Sequence, residues 1–333
     1  MINPTNLLTY VSTFDTIGLV MSLAANSLLF ILIKYHSRST FGAYKYLMMS
    51  YALIEVLYSL SAFSSNTSAH STNTSYVLFR IYKGPNRTIG PLFQLQFCTM
   101  YTVLIVILVV HFIYRYIAIC RGQWLRFFQG QRLFLWVAAS FGVGFFVGTL
   151  KYFLLGESEY ATELLRPEFM KWYGLSMDQV CYNGPVYYEC DTEGENCFTP
   201  WKTAVAMSFI NFALVFFFIV MSFFGYQSYS KLKVPDVALS QRTRQLQQQL
   251  LTALIIQSAI PSVFMYLPVG LLFMSPIFGI GFGAYANLSI LSLAIYPPLD
   301  QIAIIYVIKD FRVAIKRNFI HINTKNTDMI YHI

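Results

Sequence analysis

The chain has 333 residues, of which 56% are hydrophobic and only 11% are charged, and its formal net charge is +8. The charged share is less than half of the roughly 25% that soluble domains use to cover their surface. The composition therefore excludes an ordinary soluble enzyme or binding domain and predicts a protein of the lipid bilayer.

Seven segments are long and apolar enough to span that bilayer, which takes about twenty residues. Helices are the expected form, because each helix satisfies its own backbone hydrogen bonds in lipid. The predicted spans are 11–33, 44–63, 92–118, 133–155, 201–226, 249–274 and 281–308. The predicted fold class is all-α, a single seven-transmembrane helix bundle.

Basic residues fall between alternate pairs of spans and indicate the orientation. None precedes the first span, whereas Lys34, Arg38 and Lys45 follow it, and the long loop between spans four and five is acidic. Cytoplasmic loops are enriched in Lys and Arg. We therefore expect the N-terminus outside and the C-terminus in the cytoplasm. The net charge then reflects topology and does not indicate nucleic-acid binding.

The first outer loop, at about 64–91, contains three N-x-[ST] glycosylation motifs. They begin at Asn66, Asn73 and Asn86, and none has proline at its middle position. Such motifs are glycosylated on the lumenal side of the membrane, so we expect glycan at all three.

Cysteines add a second indication of an oxidising outer face. Cys190 and Cys197 flank a turn-forming segment in the acidic outer loop, and we predict a small disulfide hairpin between them. The pairing of Cys181, in the same loop, is left open. Cys98 lies in the outer half of span three, where we favour a free thiol in a pocket, with a disulfide as the alternative.

Three polar side chains inside the spans lie at a similar depth, where burial is costly and usually functional. They are Asn26 in span one, Glu55 in span two and Asp300 in span seven. All three lie roughly 10–15 Å from the inner face, counted at about 1.5 Å per helical residue. They are predicted to share one hydrogen-bonded cluster, and the alternative is three unrelated groups satisfied locally.

Span three ends in His-Phe-Ile-Tyr-Arg-Tyr, from His111 to Tyr116. His111 and Arg115 are four residues apart and share one helical face, which continues outward through Tyr101 and Phe97. Either Arg115 points into the bundle, so that this face lines its axis, or Arg115 snorkels to the lipid headgroups. The residues alone leave both interpretations open.

Four long segments of the chain resemble one family, the Str class of nematode seven-transmembrane chemoreceptors, which is close to the Srj class. These segments are GAYKYLMMSYALIEVLYS at 42–59, HFIYRYIAIC at 111–120, QLQQQLLTALIIQSAIPSVFMYLPV at 245–269 and IYPPLDQIAIIYVIKDFRVAI at 295–315. The resemblance implies a chemosensory receptor that detects small, often volatile molecules and activates a heterotrimeric G protein. It implies the plasma membrane of a sensory neuron, at its cilium, as the location.

The resemblance also implies roles for several residues. The segment at 296–306 is similar to the helix-seven N-P-x-x-Y region of rhodopsin-like receptors, with Asp300 at the polar position, so the cluster of Asn26, Glu55 and Asp300 would switch on activation. His111, Tyr114 and Arg115 would contribute to G-protein coupling. Rhodopsin-like receptors carry an acid where this chain has Tyr114, so the restraint on Arg115 in the silent state is open.

Proline and glycine mark two further helices. Pro261 and Pro268 predict kinks in span six, where a kinked helix can swing its inner end outward, although fixed curvature is the alternative. Gly144 and Gly148 in span four form a G-x-x-x-G motif, which we interpret as close packing, with a dimer face as the alternative.

The end of the chain is predicted to leave the membrane as an amphipathic helix at about 309–320. Phe311, Ala314 and Ile315 share one face, and Arg312 and Lys316 lie off it. Residues 1–320 then form one receptor domain, and 321–333 form a short cytoplasmic tail.

A ligand pocket is expected between the outer halves of spans three, five, six and seven. Its predicted lining residues are Phe97, Cys98, Tyr101, Phe209, Tyr266, Tyr285 and Asn287. Outer span three lacks a carboxylate for an amine, and outer spans three, six and seven lack a Lys or Arg for an acid, so a small neutral ligand is favoured.

No motif indicates catalysis, a metal or a cofactor, since the chain has no P-loop, H-E-x-x-H, C-x-x-C or G-x-S-x-G sequence. The alternative functions are a receptor for a peptide or other endogenous ligand and a polytopic transporter. Transporters tend to show repeated halves, which these seven dissimilar spans lack.

Overall fold

A computed structural model of the protein describes residues 4–37, 41–82, 89–190, 196–233 and 241–317. Seven helical segments among them are long and apolar enough to cross a membrane, which confirms the predicted fold class. The helices are α1 Pro4–His36, α2 Tyr44–Ser65, α3 Gly90–Cys120, α4 Gln131–Leu154, α5 Glu159–Tyr173, α6 Trp201–Lys233, α7 Gln241–Pro261, α8 Leu267–Met274 and α9 Asn287–Val307. Spans one to seven are α1, α2, α3, α4, α6, α7 with α8, and α9.

Some span ends differ from their predicted positions. Span five continues to Lys233 rather than 226, and span six begins at Gln241 rather than 249. These extra turns are polar, so hydropathy missed them, but Gln, Arg and Lys are good helix formers. Span seven begins at Asn287 rather than 281, because Gly279 and Gly283 adopt φ of 69° and 54° and turn the chain before it.

Span three is the central helix of the bundle. It packs against α2, α4 and α6, and 78% of its most apolar stretch is buried, compared with 17% for spans four and five. Gly144 and Gly148 allow the close approach of span four, because a Cβ on either residue would lie 2.5 Å from a side-chain atom of span three. The G-x-x-x-G motif therefore packs inside the bundle.

Two segments predicted only as loops fold into a structured cap over one end of the bundle. The cap consists of the strands β1 Ser68–Ser71, β2 Tyr76–Ile81 and β3 Val180–Asn183 together with α5. The strands form an antiparallel sheet in the order β1-β2-β3. The predicted glycosylation residues Asn66 and Asn73 are exposed on either side of β1, and Asn86 lies outside the described residues.

Strand β2 joins the cap to the bundle because both of its faces are buried. Successive side chains of a strand point to opposite faces of the sheet. Val77 and Phe79 pack with Phe169 of α5 in the core of the cap. Tyr76 and Leu78 belong to the core of the helix bundle instead. The cap therefore forms the roof of the bundle and not a detached domain.

A second, two-stranded hairpin follows the cap. Its strands are β4 Glu189–Cys190 and β5 Cys197–Phe198, and a disulfide joins Cys190 to Cys197. The turn that closes this hairpin, at 191–195, lies outside the described residues.

Span six contains an irregular turn between its two prolines. Pro261 ends α7, residues Ser262–Tyr266 form a π-helical turn, and Pro268 follows at the start of α8. A π turn widens the helix locally and often occurs at functional sites. Ser262 donates a hydrogen bond to the carbonyl of Ser258, at 2.7 Å. The turn directs Tyr266 into the bundle.

The segment after span seven is helical at 309–317. Phe311 and Ala314 are buried, whereas Arg312 and Lys316 are exposed, and the ring of Phe311 stacks on Phe41 at 6.2 Å. The apolar face of this helix thus packs on the bundle. The rest of the predicted amphipathic helix and the tail at 321–333 lie outside the described residues.

A buried histidine holds the cap together. The ring nitrogen Nδ1 of His70 lies 3.2 Å from the hydroxyl of Tyr173, and Nε2 lies 3.7 Å from the carboxylate of Glu168. Loss of solvent around the ring lowers the pKa of His70 to about 4. The nearby Glu168 does not raise the pKa of His70 again, because its carboxylate is partly exposed and already accepts a hydrogen bond from Trp172. The ring is therefore neutral at physiological pH.

We predict that acid loosens the cap. The folded pKa of His70 lies below the unfolded value of about 6.5, so its contribution to stability is complete above pH 6.5 and falls as the pH drops towards 4. Linkage gives a loss of about 2 kcal/mol at pH 5. Amide hydrogen exchange in β1 and β2 should speed up between pH 7 and pH 5, after correction for intrinsic rates.

The variant His70→Asn keeps a polar side chain and should lose this pH dependence. The matched variant His36→Asn alters an exposed histidine and should keep it. If amide exchange in β1 and β2 depended on pH equally in the parent chain and in His70→Asn, this explanation would be contradicted.

Candidate functional site

A cavity lies directly beneath the cap, between spans three to seven. Its volume is about 180 Å³, and its wall is mostly apolar. Tyr76 and Leu78 of β2 form its roof. The other lining residues come from the spans: Phe97, Cys98, Tyr101, Thr102, Ile105, Val147, Lys151, Ile210, Asn211, Ala213, Leu214, Phe217, Tyr266, Val269, Gly270, Phe273, Met274, Ile290 and Leu293. Cavities of this kind are the usual place for a small ligand.

Four of the predicted pocket residues line this cavity, namely Phe97, Cys98, Tyr101 and Tyr266. The rings of Tyr101 and Tyr266 meet edge to face at 6.2 Å. Cys98 is a free thiol, as favoured from the sequence.

The prediction was wrong in placing three other residues in the cavity wall. Phe209 is 36% exposed and contacts Phe146 at 5.7 Å, because α6 turns Ile210 and Asn211 inward instead. Tyr285 is exposed and packs on Trp172 of the cap.

Asn287 is the third residue that lies outside the cavity, and it joins span seven to the cap. Its side-chain oxygen accepts from the backbone N–H of Ala69 at 2.9 Å. Its amide nitrogen donates to the hydroxyl of Tyr173 at 3.3 Å and to the carbonyl of Ala284 at 2.9 Å. The oxygen and both N–H groups of this amide are therefore engaged, and two of the three hydrogen bonds reach the cap.

Lys151 lines the cavity and was missed from the sequence. The argument for a neutral ligand considered basic residues only in spans three, six and seven, whereas Lys151 belongs to span four. It is 8% exposed, and its ammonium group donates to the sulfur of Cys98 at 3.3 Å. A signal was available, because Lys151 follows Gly144 and Gly148 at helical spacing and shares their face towards span three.

The predicted polar cluster forms around Glu55 and Asp300. Both residues are fully buried, and their carboxyl groups are close enough to interact. Gln301 donates to one oxygen of Glu55, and Tyr51 donates to Asp300 at 3.1 Å. Gln301 and Tyr51 were not predicted, since a span-facing amide and a tyrosine carry no distinctive pattern.

Asn26 lies outside this direct contact. Its amide donates to the carbonyl and hydroxyl oxygens of Ser22 at 3.0 and 3.2 Å. Ser59 joins the two helices, because its hydroxyl oxygen lies 2.7 Å from the hydroxyl of Ser22 and 3.0 Å from the carbonyl of Glu55. Asn26 therefore connects span one to the cluster through Ser22 and Ser59 rather than through a hydrogen bond to either carboxyl group.

Arg115 points into the bundle, which decides between the two interpretations of this residue. It is 1% exposed. Its guanidinium lies over the ring of Tyr44 of span two, 3.4 Å from the ring centre, and donates to the side-chain oxygen of Gln247 of span six at 2.8 Å. The hydroxyl of Tyr44 lies 3.3 Å from Nδ1 of His111. Arg115 thus joins spans two, three and six.

A series of buried interactions connects the cavity to this arginine. Tyr266, in the cavity wall, is close enough to Asp300 to interact with its charge. Asp300 accepts from Tyr51, whose ring meets His111 edge to face at 5.4 Å. The hydrogen bond between His111 and Tyr44 completes the connection to Arg115. From Tyr51 to Arg115 the residues are in contact, and Tyr266 joins this series through its electrostatic interaction with Asp300.

Comparison with known proteins identifies the family. Residues 11–316 match the family described as "Serpentine type 7TM GPCR chemoreceptor Str". The chain belongs to this family of seven-transmembrane receptors. It is therefore a multi-pass membrane protein of a receptor family and not of an enzyme family.

Individual relatives cover nearly the whole chain. "Serpentine receptor class r-10" of Caenorhabditis elegans is 30% identical over 308 residues, which is 92% of this chain and 89% of that protein. "Serpentine receptor class J-38" of the same organism is 29% identical over 285 residues, 82% of each chain. Squid rhodopsin shares the fold, with a TM-score of 0.63, 10% identity and coverage of 96% of this chain and 87% of that chain.

We predict that Glu55 and Asp300 are energetically coupled. Glu55→Gln and Asp300→Asn should have non-additive effects on the free energy of unfolding, with a coupling of about 0.5–3 kcal/mol, as is usual for contacting residues. Chemical unfolding of the two single variants and the double variant measures it. Glu55→Gln combined with Ser140→Ala, a buried residue of span four, should be additive within about 0.5 kcal/mol. Additivity of the two carboxyl variants would separate the residues.

Proposed function

We propose that the chain is a chemosensory, odorant-type receptor that binds a small molecule beneath the cap and activates a heterotrimeric G protein at the other end of the bundle. The observation that carries this proposal is the buried connection from the cavity to Arg115. Family membership supports the same function. In this proposal the ligand pocket comprises Phe97, Cys98, Tyr101 and Tyr266, and Arg115 with His111 and Tyr114 serves coupling.

The cap end is the extracellular end in this proposal. The acidic loop with its disulfide and the exposed residues Asn66 and Asn73 lie there, and these features are typical of an outer face. Lys309, Arg312 and Lys316 belong to the helical segment at the opposite end. The receptor would reside in the plasma membrane of a sensory neuron, at its cilium, with glycan on the first outer loop.

The cavity favours a small molecule over a peptide. Its roof is a strand of the cap, whose backbone is held by the side chain of Gln94 of span three, which donates to the carbonyl of Leu78 at 3.2 Å. A volume of about 180 Å³ is little more than the 150 Å³ cavity that holds one benzene molecule. A peptide would need the cap to be displaced.

Silencing of the receptor is proposed to depend on Arg115. While Arg115 donates to Gln247, span six stays against spans two and three. The π turn and the two prolines at 261 and 268 would then provide the flexible point about which the end of span six moves outward.

We predict that Gln247→Leu raises basal G-protein activation. This variant removes the acceptor of Arg115 and frees the end of span six. Arg115→Ala should abolish activation, since the residue that meets the G protein is gone. Basal and evoked nucleotide exchange in cells with matched surface expression measures both effects.

Two exposed neighbours provide matched controls. Gln245→Leu and Arg121→Ala change the same residue types at the same end of the bundle and should leave signalling close to the parent level. Normal dose–response curves for Arg115→Ala would reduce this arginine to a packing residue and would remove the basis of the proposal.

A further inference from the structure

The only lysine in the cavity wall, among the described residues, has no carboxylate partner in the part of the chain that the structure describes. Lys151 is 8% exposed, and its ammonium donates to the sulfur of Cys98. The ion pairs between described residues are Arg166 with Glu163 and His70 with Glu168, both in the cap. A thiol sulfur is a weak acceptor, so the charge of Lys151 is not neutralised.

A buried, unpaired cation is energetically costly, because the charge loses its hydration without gaining a counter-ion. Lys151 lies in the last turn of α4, where the helix dipole favours a cation. That effect is weak compared with the loss of hydration. An anion in the cavity would lower the cost directly.

Neutral groups offer Lys151 only partial compensation. A second cavity of about 10 Å³ also adjoins Lys151, and its wall includes Gln94 and Asn183. The side-chain oxygens of both amides are buried and have no hydrogen-bond partner among the described residues. One water molecule there could join them to the ammonium. Such a contact solvates the charge but leaves it unbalanced.

We propose that the ligand of this receptor is a small carboxylate, whose anionic group binds Lys151 while its apolar part fills the cavity. The inference rests on the proposed function and specifies its ligand class. Charge-assisted hydrogen bonds are roughly twice as strong as neutral ones. Lys151 therefore selects an acid over a neutral molecule of the same shape.

The size and lining of the cavity limit the rest of the ligand. About 180 Å³ accommodates a benzene ring with a small substituent. Phe97, Tyr101, Phe217 and Tyr266 surround that volume with aromatic rings. A benzoate-sized aromatic acid or a linear acid of similar volume fits both the charge and the shape.

Binding to the purified full-length receptor in lipid nanodiscs tests the proposal without any G protein. The probes are benzoate and hexanoate, each compared with its neutral amide, benzamide or hexanamide, by the shift in melting temperature across a concentration series. We expect at least one acid to bind at least tenfold more tightly than its amide. Equal binding of acids and amides, or no binding of either acid, would overturn the proposal.

Variants assign the preference to Lys151. Lys151→Met should remove the preference for acids, Lys151→Arg should retain it, and Lys202→Met, at an exposed lysine of span five, should leave it unchanged. Because an uncompensated charge is removed, ligand-free Lys151→Met should melt no lower than the parent receptor, which also shows that it folds. An acid preference that survives Lys151→Met would overturn the assignment.

These experiments distinguish failure of the carboxylate site from failure of the proposed receptor function. Acid binding without nucleotide exchange would support the carboxylate site and contradict G-protein activation. Nucleotide exchange evoked by a neutral ligand and unaffected by Lys151→Met would support the receptor function and overturn the carboxylate site.

Discussion

The contact of Arg115 with Tyr44 and Gln247 is the interaction on which the closed bundle depends. A guanidinium that is 1% exposed has lost nearly all of its hydration, and its burial is tolerable only where the protein replaces the lost water. The guanidinium of Arg115 lies over the ring of Tyr44 and donates one hydrogen bond to Gln247. The side chain of Arg115, on span three, therefore holds spans two and six against its own helix.

The same arginine is only partly satisfied, which makes the closed arrangement reversible. Its Nε and its second terminal nitrogen have no hydrogen-bond partner within the described residues. A neutral amide is also a weaker partner than the carboxylate that a salt bridge would provide. In the proposed mechanism a new acceptor competes with Gln247 for Arg115, and the bundle shifts between two arrangements. Under the proposed function, Gln247 would take the place of the acid that rhodopsin-like receptors carry at the position of Tyr114.

Tyrosine and histidine rings carry the connection between the two ends of the bundle. The hydroxyl of Tyr44 bonds to a ring nitrogen of His111, and the rings of Tyr51 and His111 pack edge to face. Packed contacts of this kind transmit displacement because the interior has little free volume. The cap adds rigidity at the cavity end of the bundle, since Asn287 and β2 join it to the spans and β2 covers the cavity.

Hydropathy and charge predicted the seven spans because burial in lipid depends on local composition. The span boundaries also placed Glu55 and Asp300 at one depth in the membrane, because the rise per helical residue converts the distance along the sequence into a distance from the inner face. The partners Tyr51, Gln247 and Gln301 could not be predicted in this way, since depth does not determine which way a helix is rotated. The same limitation misplaced Phe209, which lies one residue from the inward-facing Ile210. The cap was missed because its strands are short and pair only through contacts distant in the sequence.

A distance measurement between spans three and six tests the central claim most directly. Spin labels introduced at the exposed residues Arg121 and Gln245 report the separation of the two helix ends by pulsed electron resonance. Tyr44→Leu removes the ring beneath Arg115, whereas Tyr46→Leu changes an exposed neighbour on the same helix. The account predicts a population at longer distance in Tyr44→Leu and none in Tyr46→Leu. Identical distance distributions in the parent chain and in Tyr44→Leu would contradict it.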